Sequence, residues 1–229
     1  MKRLAALFLC LGMIPGCQSP KPAPVPSVAE RNVQFSSVGE ANIVDPSMGI
    51  GYISIKQFGD EAGKEVAEAI TQLKDQKMNQ WILDLRGNWG GSLEGGIGVV
   101  ELFCPKGAKL GRYHDPDGTT RDLQSRGEVG SQPPLVILAD QATASTAEWV
   151  AGTLQQVLKI VMIGQSTYGK SRVQQVSQMD AHRLSIVTLG ELELPSGRPV
   201  EERGLQPRRV AGREEQLQSA IKAIRSATK

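Results

Sequence analysis

Apolar and polar positions alternate from Ile50 to Lys56 (Ile-Gly-Tyr-Ile-Ser-Ile-Lys), the period of a strand, and this predicts the first strand of the domain. Within Asp60 to Lys77, Val66, Ala69, Ile70 and Leu73 recur at helical spacing with charges on the opposite face, which predicts an amphipathic helix. Trp81-Ile-Leu-Asp-Leu85 is a short apolar strand running into the glycine-rich Arg86-Gly-Asn-Trp-Gly-Gly91. Ser92 to Leu102 reads as helix, and residues 105 to 133, rich in Gly, Pro and Asp, as an exposed connection with room for a hairpin. Leu135 to Ala139 is another apolar strand, followed by a polar turn and a helix from about Ser145 to Leu158. The next strand begins in Lys159 to Ile163, Arg172 to Val176 and Leu184 to Leu189 are β-rich, Pro195-Ser-Gly-Arg198 is a turn, and Glu214 to Ala227 is a terminal amphipathic helix. Strands alternating with helices predict an α/β fold with a mostly parallel sheet and flanking helices. No internal repeat is visible.

The start of the chain follows a different pattern. Lys2 and Arg3 precede an apolar run from Leu4 to Ile14, too short for a permanent membrane helix, and then Pro15, Gly16 and Cys17. An apolar residue three positions before a cysteine, with a small residue just before it, resembles the bacterial lipobox and implies cleavage before Cys17 and lipidation of its thiol. Pro15 is unusual in such a box, so ordinary secretion with cleavage nearby is the alternative. Residues 18–34 carry Pro20, Pro22, Pro24 and Pro26 and read as an extended tether. The expected organisation is a signal segment over 1–17, the tether over 18–34 and a folded core over 35–229. The expected location is the bacterial cell envelope, across the inner membrane and facing the periplasm if the cell is Gram-negative.

Of the 229 residues, 26 are Lys or Arg and 24 are Asp or Glu, a balance that leaves no field suited to nucleic acid. The three cysteines are Cys10 and Cys17 near the start and Cys104 in the apolar stretch from Val99, so no intramolecular disulfide is expected after processing and Cys104 reads as a buried structural thiol. His114 and His182 are the only histidines, both in polar, turn-like stretches, and no cluster has metal-ligand spacing. Neither metal nor cofactor is expected.

Ser145 follows a buried strand and opens a helix, where unpaired N–H groups and the helix dipole favour an oxyanion. Serine is also a preferred helix cap, and taken alone such a serine is more often that. A nucleophilic serine needs a base, and Lys170, after the turn Gly164-Gln-Ser-Thr-Tyr-Gly169, is a better candidate than either histidine. An ordinary lysine is protonated near neutral pH, so a lysine base requires a site that disfavours its charge. Gln174, four residues on, shares a strand face with Lys170 if the strand runs through both and would orient the amine. Gly90, Gly91 and Thr146 offer backbone N–H groups for an oxyanion hole, although the glycine pair also reads as a plain turn.

These segments meet a family. Ile82-Leu-Asp-Leu-Arg-Gly-Asn-Trp-Gly-Gly91, Ala142-Thr-Ala-Ser-Thr-Ala-Glu148, Gly164-Gln-Ser-Thr-Tyr-Gly-Lys-Ser171 with Val173-Gln174, Pro195-Ser-Gly-Arg198 and Gly204-Leu-Gln-Pro207 resemble, in order, the C-terminal processing or tail-specific peptidases of family S41. The likeness covers about residues 49 to 210. It implies a ClpP/crotonase-like core, Ser145 as nucleophile, Lys170 as base, Gln174 as the lysine-orienting residue, and the glycine pair with Thr146 as the oxyanion region. The sequence departs from the family pattern at Trp89, usually proline, at Gln156, an aspartate in many members, and at Arg208, where an aspartate is expected. Too short a stretch separates the tether from the first core strand for the PDZ domain that usually precedes this core. The expectation is therefore selection of protein or peptide substrates by other means, or by an adaptor.

Two rivals stand beside this reading. Gly164-Gln-Ser-Thr-Tyr-Gly-Lys170-Ser171 satisfies the phosphate-loop pattern, which requires a helix directly after the Lys and Ser. The other rival is a binding or scaffold protein of the same fold with weak catalysis.

Overall fold

The computed structural model describes residues 36–129, 132–178, 183–200, 203–210 and 212–227. The signal segment, Cys17, the tether and His182 lie outside the described residues. Among those described, no helix is long and apolar enough to cross a membrane.

The main sheet has six strands in the order β1 (Val38–Asp45), β2 (Ile50–Ile55), β3 (Gln80–Asp84), β6 (Leu135–Ala139), β7 (Val161–Gly164) and β10 (Arg209–Val210). β1 pairs antiparallel with β2, and the other neighbours are parallel, so the predicted mostly parallel sheet is present. β2, β3 and β6 are buried along their whole length, as expected for parallel strands covered on both faces. The first strand of the domain is β1 rather than β2. Its central residues are exposed at the sheet edge, so it lacks the apolar alternation that marks β2.

Three helices cover one face: α1 (Ala62–Asp75), α2 (Leu93–Glu101) and α3 (Thr146–Leu158). Val66, Ala69, Ile70 and Leu73 of α1 join Leu83, Ile137, Trp149, Val150 and Leu154 in the larger core. α1 and α2 approach closely because both contact points are glycines; a Cβ on Gly63 would lie 2.8 Å from Gly98 Cα. Lys159, left-handed at φ 58°, ends α3 and turns the chain back toward β7.

The fourth helix, α4 (Gln216–Ala227), covers the opposite face, packing Ala220, Ile221, Ala223 and Ile224 on Ile50, Ile82, Val136, Leu138 and Ile163. One ion pair and a hydrogen-bonded arginine hold it. Arg225 Nη2 lies 2.6 Å from Asp45 Oδ2 at the end of β1. Arg86 Nη2 lies 2.6 Å from the buried Asp84 Oδ2 at the end of β3, and Arg86 Nη1 donates to Arg213 O and Gln216 Oε1, both at 3.2 Å. The Asp84 carboxylate, paired in this way, raises the Arg86 pKa, and burial, then Asp84, raises that of Tyr52, whose hydroxyl donates to it at 2.6 Å.

A second sheet, antiparallel and four-stranded, runs β5 (Thr120–Gln124), β4 (Lys109–His114), β9 (Leu184–Glu193) and β8 (Arg172–Gln178). The connection over 105 to 133 thus holds the β4–β5 hairpin, and its β4 strand pairs with β9. His114 ends β4 rather than lying in a solvated loop. Its Nδ1 is 2.9 Å from Thr120 Oγ1, and its Nε2 lies 2.9 Å from Glu193 Oε1.

Candidate active site

β3, β6 and β7 are neighbours in the sheet, and the chain leaves each at its carboxyl end through a loop bearing candidate residues. The first loop, 85–91, is organised by Asn88, which is wholly buried. Its Nδ2 donates to Ile55 O at 2.9 Å, its Oδ1 accepts from Gly90 N at 2.8 Å, and its carbonyl accepts from Ala144 N at 2.9 Å. The last bond stitches this loop to the second, 140–145, as does Thr143 Oγ1 donating to Leu85 O at 2.8 Å.

Ser145 closes the second loop with φ 56° and ψ −124°, a conformation that costs a non-glycine residue about 1–3 kcal/mol and persists only where its surroundings enforce it. Here both of its peptide groups are fixed. Its carbonyl accepts from Glu148 N at 2.9 Å and Trp149 N at 3.0 Å, and its N–H donates to Glu148 Oε2 at 3.0 Å. Its side chain is left at the amino end of α3.

Gly90 and Gly91 lie directly against this turn. A Cβ on Gly90, whose φ is +101°, would sit 3.0 Å from Ser145 Cβ and 3.1 Å from Thr146 N. Gly91 O accepts from Thr146 Oγ1 at 2.9 Å. The three predicted oxyanion residues therefore surround Ser145, with one difference from expectation. The Gly90 N–H already donates to Asn88 Oδ1.

The third loop, 165–171, joins the second through one carboxylate. Glu148 is fully buried in α3. Its Oε2 accepts from Ser145 N at 3.0 Å and from Lys170 N at 2.8 Å, and its Oε1 accepts from Gly169 N at 2.7 Å and from the Thr167 hydroxyl. Thr167 in turn accepts from Leu205 N at 2.7 Å, drawing the Gly204-Leu-Gln-Pro207 segment onto the loop. Glu148, Asn88 and Thr167 did not emerge from the sequence as site residues, yet a Ser-x-x-Glu capping pattern at Ser145 was there to be read.

Lys170 and Gln174 line one cleft, together with Tyr168, Arg172, Glu191 and Arg203. Strand alternation is not what aligns them, because Lys170 precedes β8 and the register slips between Val173 and Gln174. Gln156 Oε1 accepts from Ser196 N at 2.9 Å, so this departure from the family pattern braces the 195–198 turn.

The phosphate-loop reading is overturned. Lys170 and Ser171 are followed by β8 instead of a helix, the amides of Gly169 and Lys170 are committed to Glu148, and Ser171 Oγ donates to Glu191 Oε1 at 2.6 Å. Phosphates would find neither a helix end nor the amides of Gly169 and Lys170 free.

Three loops thus meet at the carboxyl edge of a mostly parallel sheet, around a serine held at positive φ. Residues 49–210 match the model of peptidase family S41, and the chain belongs to that family. It is 34% identical over 165 residues to a carboxyl-terminal-processing protease of Synechocystis, covering 72% of this chain and 38% of that protein. It is 31% identical over 158 residues to the carboxy-terminal processing protease CtpA of Bacillus subtilis, covering 69% and 34%. The chain thus spans little more than a third of the length of these relatives. The solved photosystem II D1 C-terminal processing protease superposes with a TM-score of 0.61 at 27% identity, over 76% of this chain and 45% of that one. A lipoprotein from Streptococcus agalactiae shares the fold, with a TM-score of 0.63 at 20% identity over 82% and 69%.

Proposed function

We propose that the protein is a serine endopeptidase in which Ser145 is the nucleophile and Lys170 the general base, acting on unfolded proteins or protein C-terminal regions in the cell envelope. The observation that carries this reading is the single Glu148 oxygen shared by the backbone N–H groups of Ser145 and Lys170, which holds the two loops at one point. The strained Ser145 backbone and the C-terminal processing proteases among its relatives support it.

In the first half-reaction Ser145 Oγ bonds to the substrate carbonyl carbon as the Lys170 amine takes the hydroxyl proton. The carbonyl oxygen, now an oxyanion, is held by the Gly91 and Thr146 N–H groups, each such donor being worth about 3–4 kcal/mol in the transition state. The C–N bond then breaks, Lys170 returns the proton to the departing amine, and an ester remains on Ser145. In the second half water adds to the ester with Lys170 again as base, releasing the acid and restoring the serine. Gln174, beside Lys170 in the cleft, orients the amine. Cys17 carries the lipid anchor that keeps the enzyme at the membrane surface.

The test is incubation of a soluble form beginning at Val28 with casein, beside its Ser145→Ala counterpart, read by gel and mass spectrometry. Cleavage by the parent alone is expected. If neither cleaves and a serine-directed covalent probe fails to label Ser145, the peptidase reading is lost and the scaffold reading replaces it.

A further inference from the structure

Large aromatic side chains are normally withdrawn from water, and two of the three tryptophans obey: Trp81 is 2% exposed and Trp149 0%. Trp89 is 68% exposed. It projects from the loop between Asn88 and Gly90, whose backbone is pinned on both sides by the Asn88 bonds. Opposite it stands Tyr168, 56% exposed, with a ring-centroid separation of 6.4 Å and planes inclined at 49°. Tyr168 is equally fixed at its backbone, its N–H donating to Thr143 O at 3.0 Å while its neighbours Thr167 and Gly169 bind Glu148.

The positions of the two rings relative to the chemistry give them meaning. Trp89 precedes the glycine pair that flanks Ser145, and Tyr168 precedes Lys170 by two residues and lines the same cleft. An exposed aromatic pair on two loops, one carrying the glycine pair that lies against Ser145 and the other carrying Lys170, has little to offer the stability of the fold. Tyr168 presents apolar ring surface to whatever enters the cleft, and the exposed Trp89 ring lies beside it.

We infer that Trp89 and Tyr168 form an aromatic lip that grips a bulky apolar side chain of the polypeptide substrate next to the bond to be cleaved, and so determine specificity. The inference rests on the proposed peptidase reading. The two rings act on selection, and the proton transfers stay with Ser145 and Lys170.

Because Trp81 and Trp149 are buried, emission open to a small quencher comes from Trp89, which supplies a readout independent of catalysis. The full-length Ser145→Ala protein in detergent is titrated with two peptides identical but for one residue, Leu or Ser, and quenched with acrylamide. The leucine peptide is expected to bind at least about tenfold more tightly, the scale of discrimination an apolar pocket gives, and to shield the fluorescence from acrylamide. Trp89→Phe on the same background removes the quenchable signal. In the Ser145 parent, Trp89→Ala or Tyr168→Ala should abolish the leucine preference in kcat/KM, while Trp89→Phe keeps most of it. Equal affinity for the two peptides, or undiminished quenching at saturation, overturns the inference. Shielding by the leucine peptide alongside a parent that cuts nothing and takes no serine-directed probe would sustain the aromatic lip and refute the peptidase reading. Cleavage without shielding or preference would do the reverse.

Discussion

Replacing Glu148 separates its bulk from its charge. The carboxylate accepts three backbone N–H groups, from Ser145, Gly169 and Lys170, and the Thr167 hydroxyl. Alanine removes every acceptor at once, and each orphaned donor costs about 1–3 kcal/mol, toward the low end because these loop amides are half-buried. Glu148→Ala should therefore lower unfolding free energy by roughly 3 kcal/mol or more, a large part of the roughly 5–15 kcal/mol typical of a domain. Glutamine keeps the volume and must turn its NH2 group toward one pair of donors. Facing Ser145 and Lys170 it would orphan two amides, whereas facing Thr167 and Gly169 it orphans one, since the hydroxyl can rotate to accept. Glu148→Gln should thus adopt the second orientation and cost about 1–3 kcal/mol. Urea unfolding followed by circular dichroism gives both values, and kcat/KM on casein-derived peptides should fall in the same order. If alanine proves no more destabilising than glutamine, or retains full activity, the carboxylate is not what joins the two loops.

Lys170→Arg keeps the positive charge but replaces the amine with a guanidinium that stays protonated near neutral pH, so peptide cleavage should disappear while the folded circular dichroism spectrum remains; cleavage by purified Lys170→Arg would refute the lysine base. The Ser47 hydroxyl and then Arg225 hold Asp45 down from 3.8 to about 2. Because the folded value is the lower one, the carboxylate's contribution is complete above the unfolded value and disappears as pH falls through about 2; Asp45→Asn should weaken the docking of α4 near neutral pH and flatten the loss of stability between pH 4 and 2, and an unchanged acid slope would count against this anchor. Burial pushes the Cys104 thiol up to about 12, so in the form beginning at Val28, where it is the sole thiol, a disulfide reagent at pH 8 should react only after denaturation; prompt reaction of the folded protein would contradict the packing.

The elements most legible in the sequence were those buried on both faces or strongly amphipathic. Leu135–Ala139 forms a strand over the predicted residues, and α1, α2 and α3 begin and end within two residues of their predicted limits. β1 was missed because an exposed edge strand containing Gly39, Glu40 and Asn42 carries little apolar signal. The second sheet was missed as a sheet because its joining pair, β4 with β9, brings Arg112 to Glu193, and no local pattern reports a contact of that range. At the site, Ser145 could be singled out because strand, turn and helix are local. Glu148 could not be, since its meaning depends on Thr167, Gly169 and Lys170 in another loop. Spacing likewise misled at Gln174: a shared strand face was expected, whereas a bulge and an irregular approach from Lys170 bring both residues to the cleft.

The same contrast explains why one string of residues satisfied two incompatible motifs. Gly164 to Ser171 has the composition of a phosphate cradle because both uses need a tight, glycine-bearing turn after a buried strand that exposes backbone N–H groups. The partner of those groups decides between them. In a phosphate loop the anion is a ligand and a helix completes the nest. In this fold the anion is built in: the Glu148 carboxylate occupies the amides of Gly169 and Lys170, and the chain leaves as β8. An internal anion has a consequence that a bound phosphate lacks, because Glu148 belongs to the helix capped by Ser145. The lysine loop is thereby located relative to the serine rather than to a diffusible group. Lys170 and Ser145 can therefore keep their relation in the absence of any ligand, as the proposed base and nucleophile, supplied by different loops, would require.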